Sequence, residues 1–535
     1  MIHIENLCVT YPRQDTPALR NTNIHIDKNE FVLICGPSGC GKSSLMLCLN
    51  GIMHHATNAT IEGSVNLNGT DISQYLLQNI CRVAGSVFQN PAAQLCTSVV
   101  ETEVAFGLEN LNLPRPIMKK RIDSALELTG LMGMHLHKVH ELSGGQQQRL
   151  AIACALALEP QVLLLDEPTS QLDPMGAQDI LEIISRLKAA GELTVIVIEH
   201  RLEVPLQLAD RVLIMDKGRI IHDTTPCEVL KDSKMLRKLG LHSPSLPALF
   251  EKLGRKERPV LAENAPSVKV VRRKKDNVIP LHPQKMLSVD ALQFTWPKNN
   301  APVLRNISFD IFKGDRIALM GANGAGKSTL LHLISGILKP DKGEIHWESG
   351  TRPIIGMVSQ NPDVMLFSDT VEKELAFAPL QRGERCEALE PRIENVLSRF
   401  SLSALRHRAP FTLSRGERQR TAVGSVMTLD APLVLLDEPT TGQDRERIEK
   451  MMGAIGSDSN AIVFSTHDVE MASHFANRII LLCGAYITAM GTPAEVLEQV
   501  DVLKHGGICL TQLQQFSVAN GLGVFHIDEM VEGTG

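Results

Sequence analysis

The sequence states its main theme twice. Tyr11-Pro12, followed by Pro17-Ala18-Leu19-Arg20-Asn21, returns as Trp296-Pro297, followed by Pro302-Val303-Leu304-Arg305-Asn306. The two copies stay in step over most of their length, the second slightly shorter, as a gene duplication leaves them. At 535 residues the chain is also longer than one hydrophobic core usually organises. Two like domains are therefore expected, at residues 1–241 and 286–505. Between them, residues 242–285 are rich in proline and carry Arg255, Lys256, Arg258, Lys269, Arg272, Arg273, Lys274 and Lys275, a composition that reads as a solvated linker. Residues 506–535 read as a C-terminal tail.

Within each half, short aliphatic runs such as Phe31 to Cys35, Val162 to Leu165 and Thr194 to Ile198 alternate with helical stretches. Runs that are apolar at consecutive positions suit strands buried on both faces. The expected fold class is therefore α/β, a mainly parallel sheet with helices in each domain. Such sheets gather their ligands at the carboxyl ends of the strands, and the unusual residues of this chain follow those ends. Composition narrows the function. With 43% hydrophobic and 21% charged residues the chain reads as folded and globular, and a net charge of -6 offers no broad basic face for nucleic acid. No apolar run approaches the ~20 residues of a membrane-spanning helix, and no basic leader opens the chain. The 11 cysteines lack paired spacing, which suits a reducing, cytoplasmic compartment.

Gly36-Pro37-Ser38-Gly39-Cys40-Gly41-Lys42-Ser43-Ser44 and its copy Gly321-Ala322-Asn323-Gly324-Ala325-Gly326-Lys327-Ser328-Thr329 each follow a strand and open a helix. This is the P-loop pattern. Its glycines let backbone N–H groups turn around phosphate oxygens, the helix N-terminus adds positive potential, and Lys42 or Lys327 reaches the β- and γ-phosphates. Ser43 and Ser328 are placed to ligate magnesium. The strands from Val162 and Val434 end in the pairs Asp166-Glu167 and Asp437-Glu438. Asp166 and Asp437 would hold the magnesium shell, while Glu167 and Glu438 would polarise the water that displaces the γ-phosphoryl group. Third strands run into His200 and His467, each able to bond the γ-phosphate. Tyr11 and Trp296 are candidate adenine platforms in a chain only 4% aromatic. The expected chemistry is hydrolysis of ATP with Mg2+.

Leu142-Ser143-Gly144-Gly145-Gln146 precedes Asp166 by about twenty residues and resembles the signature motif of the ATP-binding-cassette ATPases. The resemblance covers residues 1–240 and 286–500. It implies two tandem P-loop NTPase domains, each with a helical signature subdomain, paired head to tail within the chain. Each nucleotide would then lie between one half's P-loop and the other half's signature, with Ser170 to Asp173 and Thr441 to Asp444 crossing the interface. The second signature departs from the pattern, with Leu413-Ser414-Arg415-Gly416-Glu417 in its place, so unequal sites are expected.

A finer resemblance lies in Val87-Phe88-Gln89-Asn90-Pro91 with Gln94, then Val100 through Phe106-Gly107. Val358-Ser359-Gln360-Asn361-Pro362 and Val371 through Phe377 echo it in the second half. These are similar to the energy-coupling-factor ATPases. The resemblance to the ATP-binding-cassette family at large implies that Gln89 and Gln360 touch magnesium and begin the segment that contacts the membrane partner. The energy-coupling-factor resemblance implies as partners an integral membrane coupling protein and a small substrate-binding membrane protein, a place at the cytoplasmic face of the cell membrane, and a vitamin, vitamin precursor, nickel or cobalt as cargo. Two other groups share tandem cassettes. Translation-associated members typically have a long, charged, helical linker, which Pro244, Pro247, Pro259, Pro266, Pro280 and Pro283 break here. Sugar-importer ATPases usually have a damaged second P-loop, whereas Lys327 and Ser328 are intact.

Overall fold

The computed structural model describes residues 1–532 apart from 13, 15, 38, 171, 173, 192, 200, 201, 204, 242, 267, 269, 273–283, 298–300, 440–444, 456–459 and 523–529. It forms two compact units, Met1–Val260 and Leu261–Gly535.

In the first unit, the strand Ile2–Thr10 buries Ile2 and Ile4 and turns His3 and Glu5 outward, as the pleat dictates, and an irregularity at Asn6 shifts the buried face to Leu7 and Val9. It pairs antiparallel with Leu19–Ile26 and Thr60–Leu67, and Thr70–Asp71 extends that sheet. The second sheet runs in the order Arg219–Thr224, Arg211–Asp216, Phe31–Cys35, Thr194–Ile198, Val162–Asp166, Ala84–Val87. Every neighbouring pair is parallel except the hairpin at the Arg219–Thr224 edge. Its central strands, Phe31–Cys35, Thr194–Ile198 and Val162–Asp166, are buried along their whole length because both faces are covered, whereas the edge strand Arg219–Thr224 is largely exposed. Val32, Ile34, Leu164 and Ile196 join the core beneath the antiparallel sheet, while Phe31, Leu33, Leu163 and Val195 join Ile180 and Ile184 of the helix Pro174–Ala190. A third core of Val104, Leu108, Ile122, Leu126, Leu150 and Ala153 binds the helices Val100–Asn110, Arg115–Leu128 and Gly144–Ala157 into a helical layer.

The second unit repeats this plan. Its main sheet runs Ile355–Val358, Leu433–Leu436, Ala461–Thr466, Arg316–Met320, Arg478–Cys483, Tyr486–Gly491, the same order taken from the opposite edge. Leu304–Phe312, Lys285–Phe294 and Lys342–Trp347 form the antiparallel sheet. The helices Val371–Gln381, Cys386–Arg399 and Arg415–Met427 form the helical layer, where Gly424 lets them close up. A Cβ there would lie 3.0 Å from Val396 and 3.1 Å from Leu375.

The stretch read as a linker, 242–285, is more structured than its composition suggests. The helix Ser245–Lys252 buries Leu246, Leu249 and Phe250, and Val260 packs on the core of the first unit. Pro247 fits because it lies in the first helical turn, where an N–H has no partner to lose. The strand Val270–Arg272 pairs with Met530–Glu532, and the strand Lys285–Phe294 begins at the last position assigned to the linker. Lys269, Arg273, Lys274 and Lys275 lie outside the described residues. The stretch read as a tail holds the helix Gln512–Ala519, with Leu513 and Phe516 buried.

Candidate functional site

Each P-loop leaves the carboxyl end of a central parallel strand, Phe31–Cys35 or Arg316–Met320, and enters the helix Lys42–Leu49 or Lys327–Ser335. Gly41 and Gly326, the residues before these helices, are left-handed at φ 108° and 98°. A side chain on Gly41 would also meet the carbonyl oxygen of Ala18 at 2.5 Å, so only glycine turns the chain here. Gly36 and Gly321 press just as closely, with a Cβ falling 2.2 Å from the Met215 oxygen and 2.5 Å from the Leu482 oxygen. Gly39 and Gly324 are the exposed bends between them. The Lys42 ammonium is buried and donates to the carbonyls of Gly36 and Pro37, both at 2.9 Å. Lys327 repeats this, donating to Gly321 at 2.8 Å and Ala322 at 3.1 Å. Ser43 and Ser328 follow the lysines, with Ser44 and Thr329 buried behind them. Asn323 is exposed and Ala325 half-buried, while Ser38 lies outside the described residues.

The strand bearing each Asp-Glu pair is next but one to the P-loop strand, with the histidine strand between them. All three are parallel, so their carboxyl ends share one edge. Asp166 and Asp437 are buried there. Glu167 and Glu438, one residue on, have left-handed backbones at φ 47° and 44°, a conformation glutamate rarely takes and one that marks both as held against local preference. In the second unit Ser465 Oγ donates to Asp437 Oδ1 and accepts the Glu438 N–H, both at 2.7 Å. Glu438 Oε1 lies 3.3 Å from His467 Nδ1 and 3.6 Å from the Lys327 ammonium. Burial pushes the Glu438 carboxyl up, but His467 and Lys327 outweigh it and hold the group below the usual carboxylate range. In the first unit Gln89 Nε2 donates to Glu167 Oε2 at 2.6 Å. Gln360 is exposed, and His200, Asp173 and residues 441–444 lie outside the described residues.

The two candidate adenine platforms differ. The Tyr11 hydroxyl is 3.1 Å from Ser44 Oγ and its ring packs on the core, whereas Trp296 is 39% exposed and meets Phe294 edge-on at 5.3 Å. The signatures are alike in build. Ser143 caps the helix Gly144–Ala157 in a reciprocal box with Gln146, and Ser414 caps Arg415–Met427 with Glu417. Arg415 is exposed at the first helical position. At its counterpart Gly144 an added Cβ would meet nothing within 4 Å, so the arginine sits there without distorting the helix. Gly145 is half-buried and Gly416 buried in the next place.

The family model of the ABC transporter matches residues 19–170 and 304–441, most of each repeat. The chain belongs to the ABC transporter family. This tandem ABC ATPase hydrolyses ATP. It is 37% identical to a Methanosarcina acetivorans protein named for a proposed role as an ABC transporter ATP-binding protein, over 99% of this chain and 91% of that one. It is 33% identical to YkoD of Bacillus subtilis, named for a proposed role as the ATP-binding protein of HMP/thiamine import, over 93% of each chain. Among solved structures, an RNase-L Inhibitor shares the fold at a TM-score of 0.62 and 19% identity, covering 98% of this chain and all of that one.

Three buried carboxylates of the ABC ATPase went unread in the sequence. Glu199 accepts from the N–H of Thr169 at 3.1 Å and its hydroxyl at 2.6 Å, pinning the turn behind Asp166-Glu167. Glu103 accepts from the N–H groups of Cys96 and Thr97, and Glu374 from those of Phe367 and Ser368. They fix the loops that follow Gln89 and Gln360. Beside those loops Phe106, Val364, Phe367 and Phe377 are exposed, the last two edge-on at 4.6 Å. Cys40 lies inside the first phosphate loop, where the second has Ala325. Its thiol is turned inward, 3.8 Å from the Lys42 ammonium, and burial pushes its pKa up despite that charge. The loop thus offers a phosphate the backbone of Cys40, and the thiol is not a ready target for alkylation.

Proposed function

We propose that this ABC ATPase energises an energy-coupling-factor type importer of a vitamin, vitamin precursor or transition metal ion. The observation that carries the reading is the exposed apolar side chains that each unit sets behind its own glutamine, Gln89 in the first and Gln360 in the second. Phe106, Val364, Phe367 and Phe377 stand in the open beside loops that buried glutamates hold in place. In the second unit Phe367 and Phe377 stand edge-on, and exposed apolar side chains of this kind are what a membrane-embedded partner would cover. Likeness to YkoD supports the choice of cargo class.

In this reading the two halves pair head to tail, and each P-loop wraps the phosphates of one ATP. Lys42 or Lys327 would leave its loop carbonyls for the β- and γ-phosphates. Ser43, Asp166 and Gln89, and Ser328, Asp437 and Gln360, present hard oxygen donors, the set that suits Mg2+. Bound there, the ion would neutralise charge on the phosphates. Glu438 is held below the usual carboxylate range, and as a buried carboxylate at the strand end beside the phosphate loop it would orient the attacking water. His467, beside it, would bond the γ-phosphate, and Glu167 would take the role of Glu438 in the first half. The integral coupling protein and the small substrate-binding protein would lie in the membrane, with this chain on its cytoplasmic face.

Purification from detergent-solubilised membranes tests the reading. The wild-type chain should bring down an integral membrane protein, and Phe106→Glu with Phe377→Glu should lose it while keeping ATPase activity in solution. Recovery with ribosomes in place of a membrane protein would overturn the proposal.

A further inference from the structure

The second P-loop is tied to the C-terminal segment by a bond that the first cannot make. The Ala322 N–H donates to the carbonyl of Gly506 at 2.9 Å. In the first loop that position is Pro37, which has no N–H to give. Gly506 and Gly507 follow the helix Val500–His505. Gly507 is left-handed at φ 71°, and a Cβ on it would fall 2.6 Å from the Cβ of Ala322. The matching residue of the first unit is Gly240, left-handed at φ 66° after the helix Ser233–Lys238. There an added Cβ would meet nothing within 4 Å. The helix end is thus pressed onto the second P-loop at Gly507, and among the described residues Gly240 makes no such contact.

The chain beyond Gly507 is anchored. Ile508 is fully buried in the core that holds Ala318 and Met320, the strand residues leading into the loop. A capping box at Thr511 starts the helix Gln512–Ala519, and Gln512 Oε1 accepts the Ala262 N–H at 2.8 Å. The Cys483 thiol donates to the His505 carbonyl at 3.0 Å, fastening the helix end beside the strand that crowds Gly321. Ala322 is therefore held from both sides, its N–H by Gly506 and its carbonyl by the Lys327 ammonium at 3.1 Å.

We propose that Gly506 and Gly507 are positioning residues of the second nucleotide site, setting Ala322 and through it Lys327 where the β- and γ-phosphates are received. The proposal rests on reading residues 321–329 as a phosphate loop. It makes ATP affinity at one site, and not the other, depend on the C-terminal segment.

The test titrates a fluorescent ATP analogue with Mg2+ into the full chain carrying Lys42→Ala, which silences the first site. Gly507→Ala should weaken binding on the order of 5-fold, as loss of one neutral hydrogen bond would. Ala322→Pro, which copies the donorless first loop, should weaken it comparably. In a chain already carrying Ala322→Gly, Gly507→Ala should cost nothing, because the colliding Cβ is gone, and this coupling separates positioning from general destabilisation. Gly240→Ala imposes the same backbone strain without the neighbour and should leave affinity unchanged. Thermal unfolding of each variant identifies any that does not fold, and Ala322→Pro then decides if Gly507→Ala is lost. Unchanged affinity in Gly507→Ala and Ala322→Pro, or the same loss from Gly507→Ala with and without Ala322→Gly, overturns the tie. Unchanged binding in Lys327→Ala overturns the phosphate-loop reading itself.

Discussion

Glu438 is an ionised carboxylate in a place that ought to neutralise it. Burial opposes its charge, and the charge survives because His467 and Lys327 lie within 3.6 Å. Its folded pKa is depressed, so its contribution to stability is present above the unfolded value of about 4.3 and is lost as pH falls through the folded one. His467→Ala should therefore lower the stability of the second unit at pH 7 by ~1 kcal/mol. The gap from wild type should narrow as urea denaturation is repeated at lower pH, through and below the ordinary carboxylate range. A gap independent of pH would show that His467 acts by packing alone. Which residue carries this charge was legible, since the acid pair closes an apolar strand. The left-handed backbone of Glu438 and the Ser465 brace were not, because strain and side-chain relays depend on neighbours far along the chain.

At the scale of elements, the helices Val100–Asn110 and Val371–Gln381 each bury the second glutamate of their first turn, Glu103 or Glu374, against backbone donors of the loop before them. Glu374→Ala would strand the N–H groups of Phe367 and Ser368, and we expect a loss of about 2 kcal/mol. Chemical denaturation checks this, and a loss within experimental error would show that the loop finds other partners. Parallel strands were easy to read because burial on both faces leaves unbroken apolar runs such as Val162 to Leu165. The helices Ser245–Lys252 and Gln512–Ala519 were hidden for different reasons. Proline and charge around the first imitate a linker, although Pro247 sits in the one turn that tolerates it. The second is short and follows glycines, yet Thr511 with Gln514 spells a capping box that could have been found.

For the whole molecule, duplication followed by divergence predicts unequal work. If the halves pair head to tail, the altered signature with Arg415 closes the site on Lys42, and the intact Ser143 signature closes the site on Lys327 and Glu438. Misplacing reacting atoms by about 1 Å can cost on the order of 10²-fold in rate. Glu438→Gln should then nearly silence steady-state ATPase activity, while Glu167→Gln leaves a substantial fraction. Equal losses would argue for equivalent sites. The open phenylalanines have a different consequence, for the cell that makes the chain. Phe106, Phe367 and Phe377, with Val364, are a liability in any copy synthesised in excess of whatever covers them. Light scattering of the purified chain should show self-association that grows with concentration and is relieved by Phe367→Ser. If the proposed membrane partner covers these residues, the yield of the chain in a producing strain should follow the supply of that partner, and balanced synthesis becomes a requirement written into the surface of this one subunit.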